Sequence, residues 1–336
     1  MENKVETNET QWNKKEVRKN TSKLARGVLI YELIMFLIVI VDMIRRIISF
    51  SSNNEFDIDS VIDSVIDSVI DSVIDEAMNS GTSTIIAVFL GLLFLLFYFR
   101  KCDYQKLIFH SQEKMTGMSF LVLLTVFMSA QAIFSLSGTG IEACFNRFGF
   151  TILGEIESAS SSSSTVSMLL YASFIGPISE EIIFRGFIMR GFQKYGTYYA
   201  IVISAVIFGA FHGNLIQSIF ATLVGLVLGY VAMRYSIKWS ILLHIINNFI
   251  FGDLLSYLTS NLNESMQSVV IYVIEGVFVV GTIAIIVLKR NEMKKFIKGI
   301  KVEKGLMGLA FTSIWMLIFL VFQILLAISG IEKLPI

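Results

Sequence analysis

Gly176-Pro177-Ile178-Ser179-Glu180-Glu181-Ile182-Ile183-Phe184-Arg185-Gly186 closes a long apolar run that begins at Val166. Ionisable side chains at membrane depth cost roughly 2.5–3.5 kcal/mol each on insertion scales, so their presence calls for a function or a partner. On a helix, Glu181 and Arg185 are four residues apart and share a face. Glu180 then points about 100° away and is free for other work. Read alone, the stretch fits a helix-end ion pair at a membrane surface as well as it fits a reaction centre. Two later pieces of sequence weigh in.

Working outward, only 16% of the 336 residues are charged and 54% are hydrophobic, whereas soluble domains carry about 25% charged residues. The apolar residues form long blocks. We read spans at Gly27–Met43, Thr84–Phe99, Met118–Leu136, Val166–Ile188, Tyr198–Phe211, Asn214–Met233, Trp239–Leu258, Ser268–Leu288 and Leu306–Ser329. Most are near the ~20 residues that cross a bilayer, and Tyr198–Phe211 is short for that. Backbone groups in lipid must be satisfied internally, so the expected fold is all-α, a polytopic bundle of eight or nine transmembrane helices. The blocks lack the alternation of barrel strands. A net charge of zero gives no field that implies nucleic acid, and Cys102 and Cys144 form neither a disulfide scaffold nor a zinc spacing.

Residues 1–23 are polar and basic, with Lys4, Lys14, Lys15, Arg18, Lys19 and Lys23, and read as a cytoplasmic tail. Arg100, Lys101, Lys106, Arg190, Lys194, Arg234, Lys238 and the basic loop from Lys289 to Lys304 fall on the same side if nine spans alternate. The loops at 51–83 and 137–165 fall opposite and are acidic or serine-rich. Arg45, Arg46 and Arg147 are the exceptions. The expectation is a multi-pass protein of the cell membrane with its N-terminus inside and its C-terminus outside. Four copies of Asp-Ser-Val-Ile at 59–75 read as a low-complexity insert, with an amphipathic helix as the alternative. Gly225 and Gly229 form a small-residue pair suited to close helix packing.

Of three histidines, His110 lies in a polar loop, while His212 and His244 lie in apolar runs. His244 and Asn248 share a helix face at i,i+4 and offer hydrogen-bond donors to a developing oxyanion. If Glu181 takes Arg185 as its partner, Glu180 is left to bind water, and His212 can hold the same water. A base, a water-positioning group and an oxyanion hole are the parts of amide hydrolysis.

Glu180-Glu181-x-x-x-Arg185, Phe208-x-x-x-His212 and His244-x-x-x-Asn248, in this order on successive helices, resemble the CAAX protease and bacteriocin-processing (CPBP, or Abi) family. That family includes the eukaryotic endoprotease that trims prenylated CAAX proteins. The resemblance covers roughly residues 166–260 and implies a helical intramembrane protease. By it, Glu180 and His212 activate water, and His244 and Asn248 stabilise the oxyanion. Glu181, Arg185 and Phe208 support them. Residues 1–165, with the tail and three helices, and 261–336, with two more, carry no matching motif. The partners implied are the lipid bilayer and a peptide or membrane-protein substrate.

Cofactors divide the readings. Glu180, His212 and His244 are enough ligands for zinc, but HExxH is absent, and the favoured reading is a glutamate-activated water with no metal. Helix geometry raises one difficulty: counted from the basic loops, His244 is shallow and His212 lies at the far end of its helix. The two meet only if the 198–211 helix starts deep or is re-entrant. The competing functions are a noncatalytic immunity or scaffold protein of the same fold and a proton-coupled transporter.

Overall fold

The computed structural model describes residues 12–53, 80–101, 110–300 and 302–334. The repeat at 59–75 lies outside them, as do Lys4, Cys102, Lys106 and Lys301. In chain order the helices are α1 (Lys14–Asn53), α2 (Gly81–Tyr98), α3 (Gly117–Met128) and α4 (Ala130–Asn146). Strand β1 (Phe150–Thr151) and α5 (Leu153–Ser160) precede α6, a continuous helix over Val166–Tyr195. Then come α7 (Thr197–Ala210), α8 (Leu215–Arg234), α9 (Ile237–Thr259) and α10 (Glu264–Leu288). The chain ends with α11 (Arg290–Gly299), α12 (Leu306–Phe311), α13 (Ile314–Ser329) and β2 (Glu332–Lys333).

The fold is all-α and polytopic, and two of the nine expected spans are short. Among the described residues seven helical stretches are long and apolar enough to cross a membrane: α1, α2, α3 with α4, α6, α8, α9 and α10. α7 has 14 residues, about 21 Å at ~1.5 Å per residue, against a hydrocarbon core of ~30 Å. The expected span Leu306–Ser329 is broken. Thr312 Oγ1 and Ser313 Oγ donate to the carbonyls of Gly308 (2.6 Å) and Leu309 (2.7 Å). Such local bonds compete with helix continuation, and α13 is left with 16 residues.

α7 is apolar all round, which is the composition of a helix surrounded by protein, and it is the most enclosed element of the bundle. Tyr199, Ile203, Ile207, Phe208 and Gly209 are among its buried residues. It forms an antiparallel hairpin with α8, and glycines set the separation. A Cβ on Gly225 would lie 3.1 Å from Phe208 Cδ1, and one on Gly229 would lie 3.1 Å from Ile201 Cγ2. The small-residue pair therefore packs within the chain.

Contacts at the two ends fix relative sidedness. Lys194 Nζ meets Glu16 Oε1 at 2.7 Å, and Asn20 Nδ2 donates to the Gly191 carbonyl at 3.0 Å. These join the start of α1 to the end of α6. Arg234 pairs with Glu113 at 2.6 Å beside the start of α3. At the opposite end β1 and β2 pair antiparallel, Phe150 with Lys333 and Thr151 with Glu332. The C-terminus thus shares a side with the 147–165 loop, away from the start of α1. Asp42 meets both Arg45 and Arg46 at 2.8 Å, so these two exceptions to the charge pattern are locally neutralised. Arg190, expected in a loop, is instead buried and donates to the Ala232 carbonyl at 3.1 Å, tying α6 to α8.

A Cβ on Gly209 would overlap Thr222 Oγ1 and lie 2.6 Å from the Ser218 carbonyl. Gly209→Ala is therefore expected to destabilise the protein by about 1–3 kcal/mol, as overpacking does. Unfolding of the purified protein in detergent measures it. Gly140→Ala, where a Cβ meets nothing within 4 Å, is the neutral control.

Candidate functional site

Three stretches of the bundle leave the α-helical pitch for π-helix: Tyr171–Ile175 and Glu181–Ile188 in α6, and Ile246–Leu254 in α9. π-turns are rare and frequently mark functional sites. Pro177 explains what the first achieves. In that turn the Gly176 N–H reaches the Tyr171 carbonyl, five residues back. The same step would join residue 177 to Ala172, but proline has no N–H. The Ala172 carbonyl is freed, and Asn248 Nδ2 donates to it at 2.9 Å. Asn248 Oδ1 accepts from Asn247 Nδ2 at 2.9 Å, and Asn247 Oδ1 accepts from Gln131 Nε2 at 2.7 Å. One N–H of the Asn248 amide remains for another acceptor.

His244 is 6% exposed and lies against both glutamates. Its Nδ1 is 3.2 Å from Glu181 Oε1 and its Nε2 is 3.7 Å from Glu180 Oε2. Glu181 Oε2 is 3.4 Å from Arg185 Nε, and both side chains are fully enclosed. Among the described residues none of the three guanidinium nitrogens makes a hydrogen bond. The guanidinium instead stacks 4.4 Å from the centroid of Phe208, a cation–π contact. The same ring meets His212 at 5.0 Å and His244 at 5.9 Å, nearly perpendicular to both. Phe208 is thus the common neighbour of the arginine and the two histidines.

The two carboxylates differ in access. The Glu181 side chain is 0% exposed and that of Glu180 is 20% exposed. His212 Nδ1 is 2.9 Å from the Phe208 carbonyl. A carbonyl only accepts, so Nδ1 carries the proton and Nε2 is left as an acceptor. The four-residue spacing from His244 to Asn248 crosses the change to π-helix at Ile246, and so does not carry the ideal α-helical stagger. His244 faces the glutamates, and Asn248 reaches Ala172. Among the described residues no three His, Cys, Asp or Glu side chains are gathered as a metal site would gather them.

The short α7 meets the depth difficulty raised by the sequence. It ends at Ala210, the chain turns at Gly213 (φ 57°), and α8 returns from there. Three contacts hold this turn. Glu155 Oε2 accepts the Leu215 N–H at 2.8 Å, and Asn214 Nδ2 donates to the Glu155 carbonyl at 2.8 Å. Asn214 Oδ1 caps α8 by accepting from the Gln217 N–H at 2.9 Å. Residues without a motif also join the site. Tyr31 of α1 is 2% exposed and lies beside Ser179, Tyr171 and Glu180. No spacing in the sequence announces it, since α1 is far from α6 along the chain. Gly91 gives it room: a Cβ there would lie 2.6 Å from Tyr31 Cδ2.

Fold and site together define a multi-pass helical membrane protein in which Glu180, Glu181, Arg185 and His244 lie together and Phe208 joins Arg185, His212 and His244. Residues 162–250 match the family of Rce1-like type II CAAX prenyl endopeptidases, and this segment is similar to that family. It is also similar to "Putative membrane peptidase YdiL" of Bacillus subtilis (strain 168), at 29% identity over 135 residues. That alignment covers 39% of this chain and 53% of the relative, so the chain spans about half the length of the curated relative it matches. No solved structure matches.

Glu155, on α5 outside the membrane-crossing helices, has its carboxyl pushed up by burial, against the opposing bond from Leu215. A raised carboxylate favours the protonated fold. That stability is complete below the ordinary glutamate range and is lost as pH rises through the raised value. Glu155→Gln keeps an acceptor for Leu215 without the charge. It is expected to flatten the gain in thermal stability that the wild type shows on acidification. Glu155→Ala removes the acceptor of the Leu215 N–H at the start of α8 and is expected to cost about 0.5–2 kcal/mol at every pH. Melting curves across the acid range check both.

Proposed function

We propose that this chain is an intramembrane endopeptidase that hydrolyses peptide bonds of peptide or membrane-associated substrates, using water activated by Glu180. One observation carries the reading. Of two adjacent carboxylates, Glu181 is enclosed with Arg185 and His244, while Glu180 is 20% exposed beside the same imidazole. The pair is thereby divided into a fixed anion and an accessible base.

In this mechanism Glu180 removes a proton from water, and the oxygen attacks the scissile carbonyl carbon. His212, with Nε2 as acceptor, orients that water. The free N–H of Asn248 binds the oxyanion as it forms; because His244 Nδ1 already donates to Glu181, His244 Nε2 joins it as a donor only in the imidazolium form. The intermediate then collapses, the C–N bond breaks, and Glu180 passes its proton to the leaving amine. Every proton in the cycle is accounted for without a metal, although Glu180, His212 and His244 remain the donors a zinc ion would use. Glu181, Arg185 and Phe208 hold His244 and His212 in place. The Rce1-like segment and the membrane peptidase relative support the class of reaction.

Glu180→Ala and His212→Ala are each expected to lower cleavage by roughly 10²–10⁴-fold while leaving insertion and thermal stability intact. The readout is a proteomic comparison of membranes, followed by the purified enzyme on a substrate so found. Asn248→Ala should lower kcat by about 10²–10³ with little change in KM. Chelation should leave wild-type activity unchanged. Stoichiometric zinc whose removal and return switch activity off and on would overturn the metal-free mechanism.

We further propose that the N-terminus faces the cytoplasm of a cell membrane. The support is the basic tail of α1 and the clustering of Lys194 and Arg234 at the same end of the bundle. A periplasm- or exterior-active reporter fused after the C-terminus is expected to be active, and cytoplasmic reporter activity there excludes this orientation.

A further inference from the structure

A third buried carboxylate lies apart from the Glu180–Glu181 cluster. α10 has 25 residues, and only Glu275 among them is buried, close to the middle of the helix. Its one hydrogen-bond partner among the described residues is Ser135, whose hydroxyl donates to Oε1 at 2.6 Å. A hydroxyl is neutral and does not balance the charge. A carboxylate at this depth is costly unless paired.

Glu275 lines a cavity of about 800 Å³. The inner end is formed by Tyr171, Ala172 and Asn248, the residues that flank the proposed reaction centre, and the outer end by the serine loop Ser158–Ser163. Gln131, Gln217, Asn247 and Gln267 line it with amides, while Phe134 and Phe278 supply aromatic walls. No Lys, Arg or His is among its described lining residues. The other carboxylate there, Asp253, is already engaged by the Ser163 N–H at 2.7 Å and by the Ser173 hydroxyl at 2.5 Å. Among the described residues, Glu275 is the carboxylate of this cavity without a charge-bearing or second partner.

Gln131, Asn247 and Gln267 each already make at least one protein hydrogen bond, and a purely hydrocarbon occupant would leave their remaining donors and acceptors unpaired, which is unfavourable for each. An extended polypeptide presents an N–H and a C=O at every residue and can satisfy mixed donors and acceptors. We propose that the cavity seats an extended, hydrophilic segment of the substrate polypeptide, and that Glu275 receives a basic side chain of that segment. This rests on the peptidase reading for its purpose but not for its measurement.

The test is binding without turnover. The full chain carrying Glu180→Ala, in nonionic detergent, is titrated with fluorescein-labelled short peptides of Gly, Ser and Ala. These differ only in a central Lys, norleucine or Glu. The Lys peptide is expected to bind about tenfold or more tighter than the norleucine peptide, with the Glu peptide weakest. Adding Glu275→Gln should remove the difference between Lys and norleucine, and Glu275→Asp should retain it. Equal binding of the Lys and norleucine peptides, no binding of either, or an unchanged preference in Glu275→Gln would overturn the proposal. The comparison between peptides decides the matter even where a Glu275 variant folds poorly. Absence of cleavage by the wild-type chain, with this preference retained, would count against the peptidase mechanism alone.

Discussion

Arg185 is the constraint around which the site is arranged. A guanidinium with 1% exposure has no water to solvate it, and in a medium of low dielectric an unpaired charge is strongly unfavourable. Its compensation comes from Glu181 at 3.4 Å and from the Phe208 ring at 4.4 Å. These two partners belong to different helices, so balancing one charge fixes α6 against α7. Breaking such a buried pair by removing one member costs about 3–5 kcal/mol. The same ring then carries His212 and His244 at its edges. One electrostatic requirement therefore sets the separation of three helices.

The second constraint is the missing N–H of Pro177. It leaves the Ala172 carbonyl without a helical donor. Asn248 fills that place, and the amide chain through Asn247 to Gln131 follows from it. A local covalent fact in α6 thus determines a side-chain position in α9. The π-helical stretches flanking these residues are the visible trace of the adjustment.

The short α7 links both constraints to the periphery. Its end is held from outside the motif-bearing helices, by Glu155 of α5 and by the cap at Asn214. Gln323 of α13 approaches the same turn, its Oε1 within 3.3 Å of where a Gly213 Cβ would be, and donates to Glu32 of α1 at 2.6 Å. Regions without a recognisable motif therefore do structural work at the site. Tyr31 beside Glu180 is the clearest case.

The sequence by itself determined the solvent and the cast. Blocks of apolar residues permit only helices in a bilayer, and among the ionisable residues within or beside them, Glu180, Glu181, Arg185, His212 and His244 stand out because burying them is costly. The Gly225–Gly229 pair also announced a close helix contact. Only the tertiary structure decided which partner each charge takes. His244 lies against both glutamates rather than apart from them, because imidazole and carboxylate meet across α9 and α6, a distance no spacing within either helix encodes. The number of full spans was likewise undecided by hydropathy, which registers that α7 is apolar but not that protein, rather than lipid, surrounds it. Glu275 was legible as a letter and not as a site: its meaning depends on a cavity that exists only once α4, α9 and α10 have packed.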